Sequence, residues 1–304
     1  MNISLSEINN EILHNAGSFI RKANESYHSR LTEIAADIAD NRTQKPVILL
    51  SGPSGSGKTT TALMIEQLLD SQGISTHTFS MDNYFCPLTD SEKQLLSEGK
   101  VDLESPARVD SELLTHQLEA IIACEPVDLI RYDFCNSTRS VTGTFRRAPG
   151  ELVILEGIHA LNPQVISLPD ERTAKIYVSV RTRITAGDIV LHPSKIRLMR
   201  RLVRDMKFRQ RSFAETVRMF RSVEEGENKY IMPFKYRSTY DVDTFMPYEV
   251  GAYRNFLLDG LAALNRPELS DAVQVLSEAA ELDWKKVTPD SLICEFIGNG
   301  QFIY

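Results

Sequence analysis

The sequence predicts an α/β fold: a mostly parallel sheet covered by helices on both faces, with helical N-terminal and C-terminal extensions. Three observations carry this. Short strand-like runs recur at 47–50, 75–81, 152–155 and 175–180; the material between them has helical periodicity; and the first run opens directly into a glycine-rich loop. Brief apolar runs suit strands buried on both faces, and strands that alternate with helices assemble into a parallel sheet.

Taken in order, residues 5–40 read as helix, with Ile8, Ile12, Leu13, Ile20, Leu31, Ile34 and Ile38 at roughly helical spacing and no proline among them. This defines an N-terminal extension over 1–45. A polar stretch, Asn41 to Lys45, precedes the apolar run Val47-Ile48-Leu49-Leu50, where a central domain of 46–265 begins. Helices are expected near 59–71, ended by Gly73, near 110–123 with Asp110 as N-cap, near 195–209 and near 248–264. From Arg266 the chain carries Pro267, Pro289 and a final apolar stretch, and 266–304 reads as an extension packed on the core.

Of the 304 residues 42% are hydrophobic and 25% charged, the mixture of a globular protein with a sizeable interior. The net charge of −7 disfavours a general affinity for nucleic acid or anionic membrane. No run of 18 apolar residues occurs, and MNISLSEINNEILHN lacks a basic start followed by an apolar run, so a cytoplasmic location and no membrane partner are expected. Cys86, Cys124, Cys135 and Cys294 form no CxxC pair and read as reduced thiols.

Gly52-Pro53-Ser54-Gly55-Ser56-Gly57-Lys58-Thr59 satisfies G-x-x-x-x-G-K-[ST], between a buried strand and a helix. That placement identifies a P-loop NTPase fold. Glycines let backbone N–H groups wrap phosphates, the helix presents its positive end, Lys58 reaches the β and γ oxygens, and the Thr59 hydroxyl can ligate magnesium. The nucleotide contacts expected here are Gly52, Ser54, Gly55, Ser56, Gly57, Lys58, Thr59 and Thr60, with ATP and Mg2+ as cofactors. The loop alone serves kinases, GTPases, motors and transporter ATPases equally.

In an open parallel sheet, ligands bind outside the carboxyl ends of the strands. Asp82 follows the 75–81 run and Glu156 follows Leu152-Val153-Ile154-Leu155, so both should share a cleft with the loop. A kinase must orient a hydroxyl, accept its proton and neutralise charge on the transferring group. Asp82 is the expected base, and Glu156 is expected on the metal, directly or through water.

Between Lys195 and Arg211 stand eight basic residues and one acid, Asp205. Arg197, Arg200, Arg201 and Arg204 lie three or four apart, while Leu198, Leu202 and Val203 can bury on another face. A solvated face and an RNA contact compete with a polyphosphate clamp here; the acidic total argues against RNA. A lid over about 181–215 that closes arginines on ATP would exclude water.

Together these residues resemble the uridine kinase family of P-loop nucleoside kinases, in the phosphoribulokinase/uridine kinase superfamily. The resemblance rests on GPSGSGKTT at 52–60, SMDNYF at 80–85, RYDFCNSTR at 131–139, LEGIHALNP at 155–163 and RLMRRLVRDMKFRQR at 197–211. VDLESPARVD, FIRKAN and LICEFIG are similar to a bacterial uridine-kinase-like branch. The resemblance implies Asp82 as catalytic base beside the metal and Tyr84 on the substrate side. It implies Asp102 or Glu104 on the ribose hydroxyls, Tyr132 and Phe134 flanking the base, and Arg139 near the acceptor. Arg201 and Arg204 would face the substrates, and Arg209 and Arg211 would belong to the lid. Where compact relatives carry a His after YDF this chain has Ser137, whose hydroxyl can still bond a base edge. His159 is expected to make a structural hydrogen bond.

The expected activity is transfer of the γ-phosphoryl of ATP to the 5′-hydroxyl of uridine or cytidine, a small-molecule partner, with a homo-oligomer implied by family. A related kinase acting on a sugar phosphate, pantothenate or glycerate is the alternative. A nucleotide-dependent RNA-binding scaffold is the reading from another class.

Overall fold

The computed structural model describes residues 1–97 and 101–303. Strand β1 (Asn2–Ser4) leads into helix α1 (Leu5–Asn41), which starts in a capping box: Ser4 accepts from the first turn while Glu7 accepts from the Ser4 N–H. The helix breaks once, at Asn15 (φ −158°, ψ 79°), whose side chain accepts from the Ser18 N–H 3.0 Å away and so caps the second segment. Ile8, Ile12, Ile20, Leu31, Ile34 and Ile38 are buried as the spacing requires. Leu13 is not: it is 76% exposed, since it adjoins the buried Ile12 just before the break.

There follow β2 (Val47–Ser51), α2 (Lys58–Ser71), β3 (Thr76–Ser80), α3 (Asp90–Ser97), α4 (Ser111–Ile122), and the strands β4 (Val127–Asp133), β5 (Thr138–Phe145), β6 (Leu152–Glu156) and β7 (Thr173–Ser179). After these come β8 (Arg183–Ala186), β9 (Ile189–Leu191), α5 (Pro193–Phe208), α6 (Phe213–Gly226), β10 (Tyr240–Asp243), α7 (Glu249–Ala263), α8 (Ser270–Glu278) and α9 (Cys294–Ile297).

The central sheet has the order β10-β7-β2-β6-β3, every neighbouring pair parallel. Strands β2, β6 and β7 are buried along their whole length, so successive side chains feed two cores. Ile48, Leu50, Ile154, Ile176 and Val178 join α1, α2, α5, α7 and α8 on one face. Val47, Leu49, Val153, Leu155 and Tyr177 join Leu114, Leu118 and Ile121 of α4 on the other. Register fixes where the functional ends fall: Glu156 pairs with Leu50 on one side and Ser80 on the other. The phosphate loop, Glu156 and the residues after Ser80 therefore leave the sheet at one edge.

Several elements differ from the sequence expectation. Strands β4 and β5 form an antiparallel hairpin outside the central sheet, alternating polar with half-buried residues rather than forming apolar runs. The stretch 181–194, expected as one limb of a lid, forms β8 and β9, and β8 pairs in parallel with β1 at the start of the chain. The edge strand β10 has one fully buried residue, Val242, too little for an apolar signal. Helix α6 opens with a second capping box, Ser212 with Glu215. At the C-terminal end, α8 packs on α7 and α9 on α5, burying Leu269, Val275, Leu276, Leu292, Ile293, Phe296 and Ile297.

Candidate active site

The loop between β2 and α2 is shaped by glycines. Gly55 (φ +75°) and Gly57 (φ +84°) take left-handed backbone, and a Cβ on Gly52 would lie 2.1 Å from the Val178 carbonyl oxygen, a contact no side chain tolerates. Gly57 is the N-cap of α2 and supplies no capping side chain, so the positive end of the helix faces the loop. Ser56 Oγ is buried without a hydrogen-bond partner, as are Nε of Arg201 and Nε of Arg204. Orphaned donors cost free energy in a buried site, and a polyphosphate would satisfy them. The cradle thus fits the nucleotide that its sequence implies.

Lys58 Nζ donates to the Pro53 carbonyl at 3.3 Å and acts electrostatically on Asp82, Glu156 and Glu104. Those three acids, from three separate segments, share one cleft with the lysine. Glu156 is buried and accepts from Ser80 Oγ at 2.9 Å. Burial pushes its carboxyl up to about 7; Lys58 pulls the other way and Asp82 adds to the rise. Asp82 meets solvent at the cleft mouth while protein crowds its carboxyl, so desolvation raises its pKa against Lys58, Arg209 and Arg204. Thr59, at the start of α2, is half-buried beside Lys58. Among the described residues no three His, Cys, Asp or Glu side chains form a metal cage. Thr59, Asp82 and Glu156 could instead hold a magnesium that arrives on phosphate oxygens, the usual mode for that ion.

Glu104 lies against the same charges: burial raises its carboxyl, and Arg201 and Lys58 oppose. His159 Nε2 contacts the Glu104 carbonyl at 2.9 Å, and burial lowers its pKa to about 4, so the neutral ring works as a structural strut. Asp102 accepts from Tyr230 Oη at 2.8 Å, which ties the acceptor side to the turn after α6.

On α5 the arginines divide. Arg201 Nη1 donates to Ser54 Oγ at 2.7 Å. Arg204, whose pKa burial and then Arg209 lower to about 10, sits 3.9 Å from Glu295. Arg197 and Arg200 were expected only as part of a basic face, yet they hold the loop from behind. Arg197 donates to the Ser54 carbonyl and pairs with Glu227. Arg200, fully buried, bonds the Gly55 carbonyl, Thr244 and both oxygens of Glu249. Arg209 and Arg211 both reach the buried Asp205, at 3.2 and 3.7 Å, which anchors them at the end of α5.

Four expected contacts have other partners in the structure. Tyr84 turns into the core beside α4, its hydroxyl donating to Gln117 Oε1 at 2.7 Å and its pKa raised by burial to about 12. Ser137 takes a left-handed turn (φ +53°) with its hydroxyl between the Leu88 N–H and Tyr132 Oη, so it braces the hairpin instead of presenting a free group. Arg139 is paired with Asp110, the N-cap of α4, at 2.8 Å. Thr60 is held by Glu295. Tyr132 is buried, whereas Phe134 is 64% exposed; with Phe85 they form an edge-to-face trio at 4.9 to 6.0 Å. Glu295 and the loop-gripping role of Arg197 and Arg200 escaped the sequence reading. LICEFIG contained the glutamate, but no local pattern tells which distant segment it meets.

Among known proteins, residues 47–245 match the model of the phosphoribulokinase/uridine kinase family. The chain is 34% identical to a uridine kinase of Lactobacillus helveticus (strain DPC 4571) over 199 residues, 63% of this chain and 83% of that protein. It is 32% identical to a uridine kinase of Ligilactobacillus salivarius (strain UCC118) over 197 residues, 64% and 84% of the two. A solved structure of a proposed fructose transport system kinase from Silicibacter sp. TM1040 superposes with a TM-score of 0.52 at 17% identity, covering 69% of this chain and 98% of that one, and shows the fold alone. With its phosphate loop and two acids at one sheet edge, and with a family match across most of its length, the chain belongs to the phosphoribulokinase/uridine kinase family and is a P-loop kinase.

Proposed function

We propose that the protein transfers the γ-phosphoryl group of ATP, with magnesium, to the 5′-hydroxyl of uridine or cytidine. The observation that carries this is the common placement of Asp82, Glu156 and Glu104 within the field of Lys58, since a nucleotide switch needs no acceptor-side carboxylates. The curated relatives bearing the name uridine kinase support the choice of acceptor.

In this reading Lys58 and the loop N–H groups hold the phosphates, and Asp82 accepts the proton of the attacking hydroxyl. Its base strength comes from the balance between crowding, which raises its pKa, and the cations Lys58, Arg209 and Arg204, which lower it. Arg201 and Arg204 spread charge from the transferring group. Thr59, Asp82 and Glu156 would hold magnesium, which would supply further neutralisation at the phosphate oxygens. On the acceptor side, Glu104 and Asp102 would take the ribose hydroxyls, and the exposed ring of Phe134 against Tyr132 gives a nucleobase an apolar edge.

Because Ser137 is already bonded, discrimination at the base rests on fewer polar contacts, which favours testing other hydroxyl acceptors beside pyrimidine nucleosides. Incubation with ATP, magnesium and a panel of nucleosides, sugar phosphates, pantothenate and glycerate, followed by phosphorus NMR, should yield uridine or cytidine monophosphate. Turnover of another acceptor without those products would replace this assignment. The RNA scaffold reading is disfavoured by the burial of Arg197, Arg200 and Arg201, which leaves no basic stripe on the face of α5.

A further inference from the structure

The C-terminal residues carry an anion into the phosphate loop. Glu295, on α9, is nine-tenths buried, and its Oε2 accepts from Thr60 Oγ1 at 2.7 Å and lies 3.4 Å from the Thr60 N–H. Its Oε1 stands 3.9 Å from Arg204 Nη1. The position is enforced by packing on both sides. Leu292 lies so close to Gly57 that a Cβ there would meet its Cδ1 at 2.8 Å, and the Phe296 ring lies under Arg200 and Arg204 at 5.3 and 6.0 Å.

In a phosphate loop the backbone donors at the start of the helix cradle the nucleotide's phosphates. Thr60 belongs to that set by its place two residues after the loop lysine, and here its N–H and hydroxyl both address a carboxylate. A phosphate oxygen and a carboxylate oxygen need the same donors and repel one another. We infer that Glu295 stands in for a nucleotide phosphate at Thr60, so that nucleotide binding must displace the carboxylate from this contact. The inference rests on the loop being a nucleotide site, and it adds to that reading a competing group built into the chain itself. Glu295 satisfies Thr60 and faces Arg204; a nucleotide phosphate that takes its place at Thr60 would release Arg204 towards the incoming charge.

The test is the affinity for Mg-ADP, measured by titration calorimetry on the full chain and on Glu295→Gln. The amide nearly matches the carboxylate in shape, removes the charge and replaces one acceptor oxygen by an NH2 donor. Binding should tighten about tenfold or more, while Glu278→Gln, an equal change of net charge on the exposed face of α8, should leave it within about twofold of wild type. If Glu295→Gln does not fold, Glu295→Asp, which draws the same charge back from Thr60, should tighten binding by a smaller factor. Unchanged or weaker Mg-ADP binding in the folded variant overturns the inference, because the carboxylate would then hold the loop in its binding shape or touch the nucleotide directly. Failure of wild type and variants alike to bind Mg-ADP would instead overturn the kinase reading and this one with it.

Discussion

At the scale of single residues, Asp82 and Glu156 carry the testable chemistry. Asp82→Asn should retain Mg-ATP binding by calorimetry and lose turnover by several orders of magnitude, as when one member of a catalytic group is removed; near-normal turnover would take Asp82 out of the reaction. Glu156 makes a pH prediction. Its folded pKa of about 7 lies above the ordinary 4.5, so its contribution to stability is full below about pH 4.5 and is lost as pH rises through about 7. Glu156→Gln avoids ionisation, so the variant should gain on wild type across that window by roughly 3 kcal/mol in apo unfolding experiments. A difference that stays flat with pH would mean that the carboxyl is well hydrated. Both acids were legible in the sequence because a parallel sheet delivers the residue after each strand to one edge. Tyr84 and Ser137 were not, since a short turn and a left-handed bend obey no period that tells which way a side chain points.

At the scale of elements, α5 shows what a charge pattern can and cannot tell. The eight basic residues between Lys195 and Arg211 lie on and just after a helix whose Arg197, Arg200 and Arg201 bond the phosphate loop. They do not reveal that Arg197 and Arg200 grip loop carbonyls from beneath, because helical spacing gives a face and not its neighbour. Arg200→Ala should cost about 3–5 kcal/mol in denaturant unfolding, since it strands the buried Glu249 without its partner. Nucleotide affinity should fall with it, as the Gly55 carbonyl loses its restraint. A variant of wild-type stability would show that water or a rearranged neighbour replaces the guanidinium. The capping boxes of α1 and α6 conform to their local sequences, Ser4 with Glu7 and Ser212 with Glu215; the β4–β5 hairpin lacks apolar runs and was hidden for that reason.

At the scale of the molecule, both ends of the chain are built into the main body. Residues beyond 265 supply Leu269, Val275, Leu276, Leu292, Ile293, Phe296 and Ile297 to the core that also contains α1, α2 and α5. A chain ending at Asn265 should therefore be insoluble or lose cooperative unfolding by calorimetry, while a soluble truncated protein with an unchanged Tm would show that the extension is dispensable. No helix among the described residues is long and apolar enough to cross a membrane. Four of the five strands of the central sheet and helices α1, α2, α4, α5 and α7 followed from the alternation of runs, whereas β10 and the long-range joins did not. The pairing of β1 with β8 and of Glu295 with Thr60 links segments more than 180 residues apart, and no local signal announces either. That wiring sets a timetable for synthesis. The first strand must wait for residues 183–185 before it has a partner, and Glu295 reaches Thr60 only after 235 further residues have been made. A ribosome-bound chain stopped short of Leu292 would thus present an unbraced loop, and the pocket matures long after its own lysine has been made.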